Sequence, residues 1–337
     1  MARERAVVVG AGGIFNSWAK PLLAEKVDVA AIVDLRPEQA AKRIAEHGFK
    51  SEASSDLRAM IQKHQPQFVI DLTIPEAHCN VTTTALKAGC HVVSEKPMAA
   101  SMAHATKMVR TADETGNLYM VSQSRRWDAR HDRVRQTIAK KRIGTLTTIN
   151  CDFYIGAHFG GFRDAMPSPL ILDMAIHHFD LARFMTGADP VSVYAREFNP
   201  HGSWYKGNAA ATCLFEMSNG VVFTYRGSWC AEGCHTSWNG DWRMIGDKGT
   251  LICTGSEDIR GEAVVGKTGF TREKKPLDVA TSRLKYTGMH GALREMLAFL
   301  RTGRLPQTHC HDNIKSLAMV FAAIESSKKG KSVSINV

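Results

Sequence analysis

Five short apolar runs mark the first third of the chain: "RAVVVG", "VDVAAIVD", "QFVIDLT", "HVVSEK" and "NLYMVSQ". Each is nearly continuous in hydrophobicity and rich in β-branched residues, the pattern of strands covered on both faces. Segments of helical period lie between them. "PEQAAKRIAEHG" begins on a helix-compatible proline and stops at Gly48, and "SMAHATKMVRTADETG" begins on a capping serine and stops at Gly116. Strand and helix therefore alternate, which predicts a parallel sheet with crossover helices.

Beyond Gln123 the pattern changes. A helix-period segment, "DARHDRVRQTIAKKRIG", is followed by long runs in which apolar and polar positions alternate: "TLTTINCDFYI", "VSVYAREF" and "AAATCLFEMSNGVVFTYRGSW". The last contains Asn219-Gly220, a strong two-residue hairpin signal. Alternation is what a sheet with one solvated face requires, so this part is predicted to be α+β on a largely antiparallel open sheet. Helical patterns return at "GALREMLAFLRTG" and "NIKSLAMVFAAIESSKKG", and "SVSINV" reads as a final strand. A chain of 337 residues is long for one core. The division falls at 1–123 and 124–337, with no internal repeat and no low-complexity linker.

Composition narrows the class. Hydrophobic residues at 44% and charged residues at 23% are those of a globular chain, and no apolar run approaches membrane length. "MARERAVVVGAGG" has a signal-like order of charge and apolarity, but its apolar part is short, and it reads as a first strand in a cytoplasmic protein. Eight scattered cysteines fit reduced thiols in a core. "CAEGCH" and "HCHD" lack haem or zinc spacing, so no metal is expected. More than half of the net charge of +10 gathers between Ser124 and Arg142 around Val134, Ile138 and Ile143, which reads as the solvated face of one amphipathic helix rather than a nucleic-acid surface, with local attraction of an anionic substrate or cofactor phosphate as the functional alternative.

The candidate chemistry begins at "VVVGAGGIFNSW". Gly10, Gly12 and Gly13, followed by Ile14 and Phe15, lie directly after a strand and before a helix, where glycines let the backbone approach a pyrophosphate. Asp34 ends the second strand, where a carboxylate accepts from a ribose diol, which favours NAD without excluding NADP. The slot of the fingerprint's third glycine falls on Phe15, which predicts a helix set farther from its strand. Ligands of such folds bind at the carboxyl ends of the strands. Thr73, Pro75 and Glu95-Lys96-Pro97 fall on that edge.

"VGAGGI", "TIPEAHCNVTTTALKAGCHVVSEKP", "SQSRRWD" and "LDMAIHHFDLARFMTG" together make the chain similar to the glucose-fructose oxidoreductase, inositol dehydrogenase and rhizopine-catabolism (Gfo/Idh/MocA) family over essentially its whole length. The resemblance implies an α/β Rossmann domain and an α+β domain that binds substrate and mediates oligomerisation. It places Lys96 beside nicotinamide and substrate, with Asp173 and His177 on a helix closing the same cleft. It also implies that Thr73, Pro75 and His78 run along the cofactor with Glu95, and that Arg125 faces the substrate. Face-to-face association through the second sheet implies a homodimer or homotetramer.

The residue chemistry agrees. Asp173 and His177 are spaced i, i+4 and share a helix face, whereas His178 lies about 100° round it. Oxidising an alcohol requires a base for the hydroxyl proton as hydride leaves carbon, and histidine titrates in the right range. Lys96 can polarise the same oxygen. Trp127, Tyr154, His158, Arg163 and Trp238 are substrate-binding candidates by residue type, Tyr154 foremost. The expected activity is hydride transfer between a nicotinamide cofactor and a sugar, cyclitol or related polyol. Two rivals are a glycosidase that keeps its NAD and a non-catalytic dinucleotide-binding sensor.

Overall fold

The computed structural model describes residues 3–254 and 258–337. Met1 and Ala2, at the head of the first predicted strand segment, lie outside them. The chain forms two compact units, Met1–Trp127 with Tyr286–Leu317, and Asp128–Lys285 with Ala318–Val337.

In the first unit β1 (Arg5–Val9) runs through the glycine turn into α1 (Phe15–Ala24). The alternation continues with β2 (Asp28–Val33), α2 (Pro37–His47), β3 (Glu52–Ser54), α3 (Leu57–His64), β4 (Phe68–Asp71), α4 (Pro75–Lys87), β5 (His91–Glu95), α5 (Met102–Thr115) and β6 (Tyr119–Ser122). Every pairing is parallel, in the order β3-β2-β1-β4-β5-β6. The order reverses between β1 and β4, and that reversal opens a crevice at the carboxyl ends of these strands. The helix signals act as expected. Pro37 starts α2, Gly48 ends it in the left-handed region at φ 72°, and Ser101 caps α5 by accepting from the His104 amide at 3.2 Å. Only β3 has no apolar run to announce it; "EAS" pairs with the open edge of β2.

The second unit begins with α6 (Ala129–Ala139), capped by Asp128. The basic segment is amphipathic: Val134 and Ile138 are buried, while Arg130 pairs with Asp128, Arg135 with Asp132 and Arg142 with Asp278. Then come β7 (Leu146–Tyr154), α7 (Phe162–Ala165), a π-helical turn (Leu170–Ala175) that runs directly into α8 (Ile176–Thr186), β8 (Pro190–Phe198), β9 (Ala210–Met217), β10 (Val222–Ser228), β11 (Asp241–Gly246), β12 (Gly249–Thr254), β13 (Asp258–Val264) and β14 (Lys274–Pro276). Asn219-Gly220 makes the β9–β10 hairpin, with Gly220 at φ 79°. Among the described residues nine strands, the last being β15 (Val333–Ser334), run in the order β14-β13-β12-β11-β7-β10-β9-β8-β15, antiparallel except for β7 with β10. Phe153, Phe215, Phe223, Tyr225 and Trp242 form the buried face under α8.

The chain then returns to the first unit with α9 (Gly288–Thr302), enters α10 (Cys310–Lys329), and ends with β15 (Val333–Ser334) against β8. A cut at residue 123 would give α9 to the second domain. Instead Ala292, Leu293, Met296 and Leu297 bury against the first unit, Gly291 closes on Trp127, and His290 and Arg294 hold Glu25 of that unit at 2.7 and 2.8 Å. Among the described residues no helix is long and apolar enough to cross a membrane.

Candidate functional site

At the glycine turn Gly10 has φ 99°, and a Cβ there would stand 2.7 Å from the Leu72 carbonyl, so only glycine fits. Gly12 and Gly13 face open space. The first turn of α1, entered at Ile14, has no side-chain cap and no acidic residue; the Phe15, Asn16 and Ser17 amides bond to the Gly12, Gly13 and Ile14 carbonyls at 3.2, 3.3 and 3.0 Å, so a pyrophosphate would meet the positive end of the helix rather than unused first-turn donors. Asp34 reaches the turn from the end of β2: one carboxylate oxygen accepts from the Ala11 amide at 2.8 Å, the other from the Arg36 amide at 3.0 Å. These residues fit a dinucleotide. Phe15 is fully buried against His47 and Phe49, at ring distances of 5.7 and 5.9 Å. Its side chain thus fills the space beside α2 and is not available to a ligand.

Three residues at this edge escaped the sequence reading. Arg43 on α2 donates to the Ala11 and Gly12 carbonyls at 3.0 and 3.3 Å and so braces the turn from below. Leu35 and Ile74 expose large apolar side chains at the carboxyl ends of β2 and β4, surface suited to a flat base. Leu35 follows Asp34 directly, which was the available signal; Arg43 had none, because it acts through a fold-dependent contact.

The other motif residues of the first unit divide sharply. Glu95 is buried and accepts from Trp18 Nε1–H at 2.8 Å and from the Lys96 amide at 3.2 Å; burial holds its pKa above the ordinary value. Lys96, next along, stays half-exposed. His78 is also fully buried, with Nδ1 3.0 Å from the Pro97 carbonyl and Nε2 3.1 Å from that of Thr73. It ties the loop after β4 to the loop after β5. Asp71 beneath accepts from the Thr73 hydroxyl at 2.6 Å and from Thr82 at 3.3 Å, and burial raises its pKa. Pro75 starts α4. Arg125 is half-buried on the 3₁₀ turn Ser124–Trp127, and Trp127 is buried against α9.

In the second unit the π-helical turn and α8 are buried on almost every side. From Leu170 to Arg183 only Leu172, Asp173 and His177 retain exposure. His178 is fully buried, with its ring 4.9 Å from Phe153 and stacked 5.5 Å from Tyr225. Asp173 receives Arg163 Nε–H at 2.7 Å. Tyr154 is not brought to this helix, because it alternates with Phe153 onto the face of β7 that carries the Asp152–Arg226 ion pair. His158 stacks on Trp204 at 3.7 Å and pairs with Glu232, and Trp238 packs against Phe159 and Trp229.

A six-stranded parallel sheet with a glycine turn, and the Asp34 carboxylate holding that turn from the end of β2, is the arrangement of a dinucleotide-binding domain. Residues 4–123 match the family model described as "Oxidoreductase family, NAD-binding Rossmann fold", and residues 131–252 match the "GFO/IDH/MocA C-terminal domain". The chain belongs to the Gfo/Idh/MocA family of NAD-binding oxidoreductases. Among characterised relatives it is 28% identical to 1,5-anhydro-D-fructose reductase of Ensifer adhaerens, covering 97% of both chains. It is 26% identical to D-apiose dehydrogenase of Paraburkholderia graminis, over 83% of this chain and 76% of that one. A solved oxidoreductase from Agrobacterium radiobacter, in complex with NAD+, L-tartaric acid and magnesium, superposes with a TM-score of 0.87 over 99% of both chains at 22% identity, and so shares the fold.

Proposed function

We propose that this oxidoreductase transfers hydride between NAD and a CH–OH carbon of a sugar, cyclitol or related polyol. The observation that carries the reading is the selective exposure on the helix of the second unit, where a buried stretch leaves Asp173 and His177 accessible one turn apart. Relatives named for an anhydro sugar and for apiose support the substrate class. NAD, when bound, supplies the hydride acceptor for alcohol oxidation. His177 takes the hydroxyl proton, Asp173 holds the substrate or the imidazole in place, and Lys96 polarises the reacting oxygen. Asp34 favours NAD over NADP, because a carboxylate at the ribose diol repels a 2′-phosphate. Tighter binding of NADP than of NAD in calorimetry would overturn that preference.

We also assign the outer face of the nine-stranded sheet to self-association in a homodimer or homotetramer. Tyr194 and Leu214 are cross-strand partners there, about half exposed, and Val222 extends the same apolar patch. Light scattering on the Leu214→Glu variant should report a smaller species than the parent. The activity itself is tested with a panel of sugars, cyclitols and sugar acids, read by absorbance of reduced nicotinamide. Turnover of a ring polyol is expected; an inactive panel in both directions would contradict the reading.

A further inference from the structure

Close to Asp173 the second unit carries an aromatic surface for which neither the fold nor the assigned chemistry accounts. Phe162, Trp238 and Phe159 are 67%, 50% and 42% exposed. Phe159 and Trp238 are contiguous. Phe159 stands edge-on to the buried Trp229 at 5.1 Å, and Trp238 packs against both, 6.2 Å from Phe159 and 5.6 Å from Trp229. Trp229 is thus a fixed floor, and Phe159 and Trp238 present their remaining surface outward.

Arg163 joins this surface to Asp173. Its guanidinium lies 5.0 Å from the ring centre of Phe159 and 4.8 Å from that of Phe162, so aromatic rings flank it. Asp173 takes its Nε–H edge at 2.7 Å. A guanidinium bonds only in its plane, so the edge formed by its two terminal amino groups remains for further acceptors. Arg163 is about one-third exposed. Its charge is already met by Asp173, so that edge suits hydroxyl and ring oxygens. An occupant must offer apolar C–H surface to the rings and, beside it, oxygens to the amino groups.

We propose that Arg163, with Phe159 and Trp238, forms a specificity subsite that holds the non-reacting part of a polyhydroxylated ring, a cyclitol or pyranose, next to Asp173. This rests on the sugar or polyol reading above and adds the residues that select the ring. Asp173 then has two tasks, since it also sets the orientation of the arginine fork.

The test uses the full chain with NAD and any ring polyol that the parent turns over. Arg163→Gln should raise KM about tenfold or more while kcat falls much less, because a charged donor to a substrate oxygen is lost from binding. Arg163→Lys, which keeps the charge but not the fork, should not restore KM. Trp238→Ala, at an exposed position, should raise KM several-fold with NAD affinity unchanged. If Arg163→Gln lowers kcat at constant KM, or Trp238→Ala leaves KM untouched, the subsite is refuted and Arg163 only positions Asp173. A second readout does not depend on turnover: saturation transfer from aromatic protons to the ring protons of the same panel, in parent and Trp238→Ala. Transfer that the variant loses supports the subsite even if no compound is oxidised, in which case the dehydrogenase reading fails alone. No transfer to any ring in the parent overturns the subsite even if turnover is seen.

Discussion

At the carboxyl edge of the six-stranded sheet, Glu95 is buried with two N–H donors on its carboxylate, and Lys96 beside it stays half-exposed. On α8 of the second unit, His178 is buried among Phe153, Tyr225 and Trp242, and His177 beside it stays half-exposed. Neighbouring residues on a strand point to opposite faces, and on a helix they diverge by about 100°, so each motif necessarily splits between framework and ligand side. The surroundings of the buried partner differ. Glu95 accepts hydrogen bonds from a tryptophan and the backbone, and His178 lies among aromatic rings. A motif residue is therefore not a reacting residue until its neighbours are counted.

The comparison is broken most directly by exchanging the members of each pair. His177→Ala and Lys96→Met should each cost turnover about 10²–10⁴-fold, the usual weight of a positioned acid or base, with the melting temperature nearly unchanged. His178→Ala should do the reverse. It opens a space beneath three rings and should cost stability by about 2–5 kcal/mol in urea unfolding, with kcat of the folded enzyme close to the parent's. If His178→Ala proved stable but inactive, the division of labour on α8 would be wrong.

A second contrast sets two buried carboxyls against each other. Among the described residues, the Glu197 carboxyl on β8 has only the Ser168 hydroxyl, at 3.3 Å on Oε1, and Oε2 has no hydrogen-bond partner. Burial raises its pKa from 4.5 to about 7. A raised carboxyl pKa means that the folded state prefers the protonated form. Its contribution is complete below the unfolded value and is lost as pH rises through about 7. The parent should therefore lose on the order of 2–3 kcal/mol between pH 5 and pH 8 relative to Glu197→Gln, in which that slope is flat. A parallel pH dependence in both proteins would show that Glu197 does not titrate as described. The smallest effect is expected at Glu95, where Trp18→Phe removes one of two donors and should cost about 1–3 kcal/mol at neutral pH.

Much of this was legible in the chain, for identifiable reasons. The parallel strands announced themselves because burial on both faces needs continuous apolar runs, and Ser101, Gly48 and Gly116 mark helix ends through their own backbone chemistry. Asp34 could be placed by its distance from the glycines. What depends on partners distant in sequence was not legible. Trp18 meets Glu95, Arg43 braces Ala11 and Gly12, and α9, which follows residues 128–285 in sequence, packs within the first unit. Phe15 shows the same limit, since a missing glycine read as a looser helix turns out to be a ring seated between His47 and Phe49. Tyr154 was chosen by residue type, and strand alternation put it on the other face.

The central claim is that His177 accepts the substrate proton while its neighbours hold the frame, and the pH profile of alcohol oxidation tests it most directly. For the parent, kcat/KM should rise with pH through one ionisation as the imidazole becomes neutral, and His177→Ala should lack that limb while retaining a residual, pH-flat rate. An alanine variant that kept the same limb at the same pH would contradict the claim and move the base to Lys96.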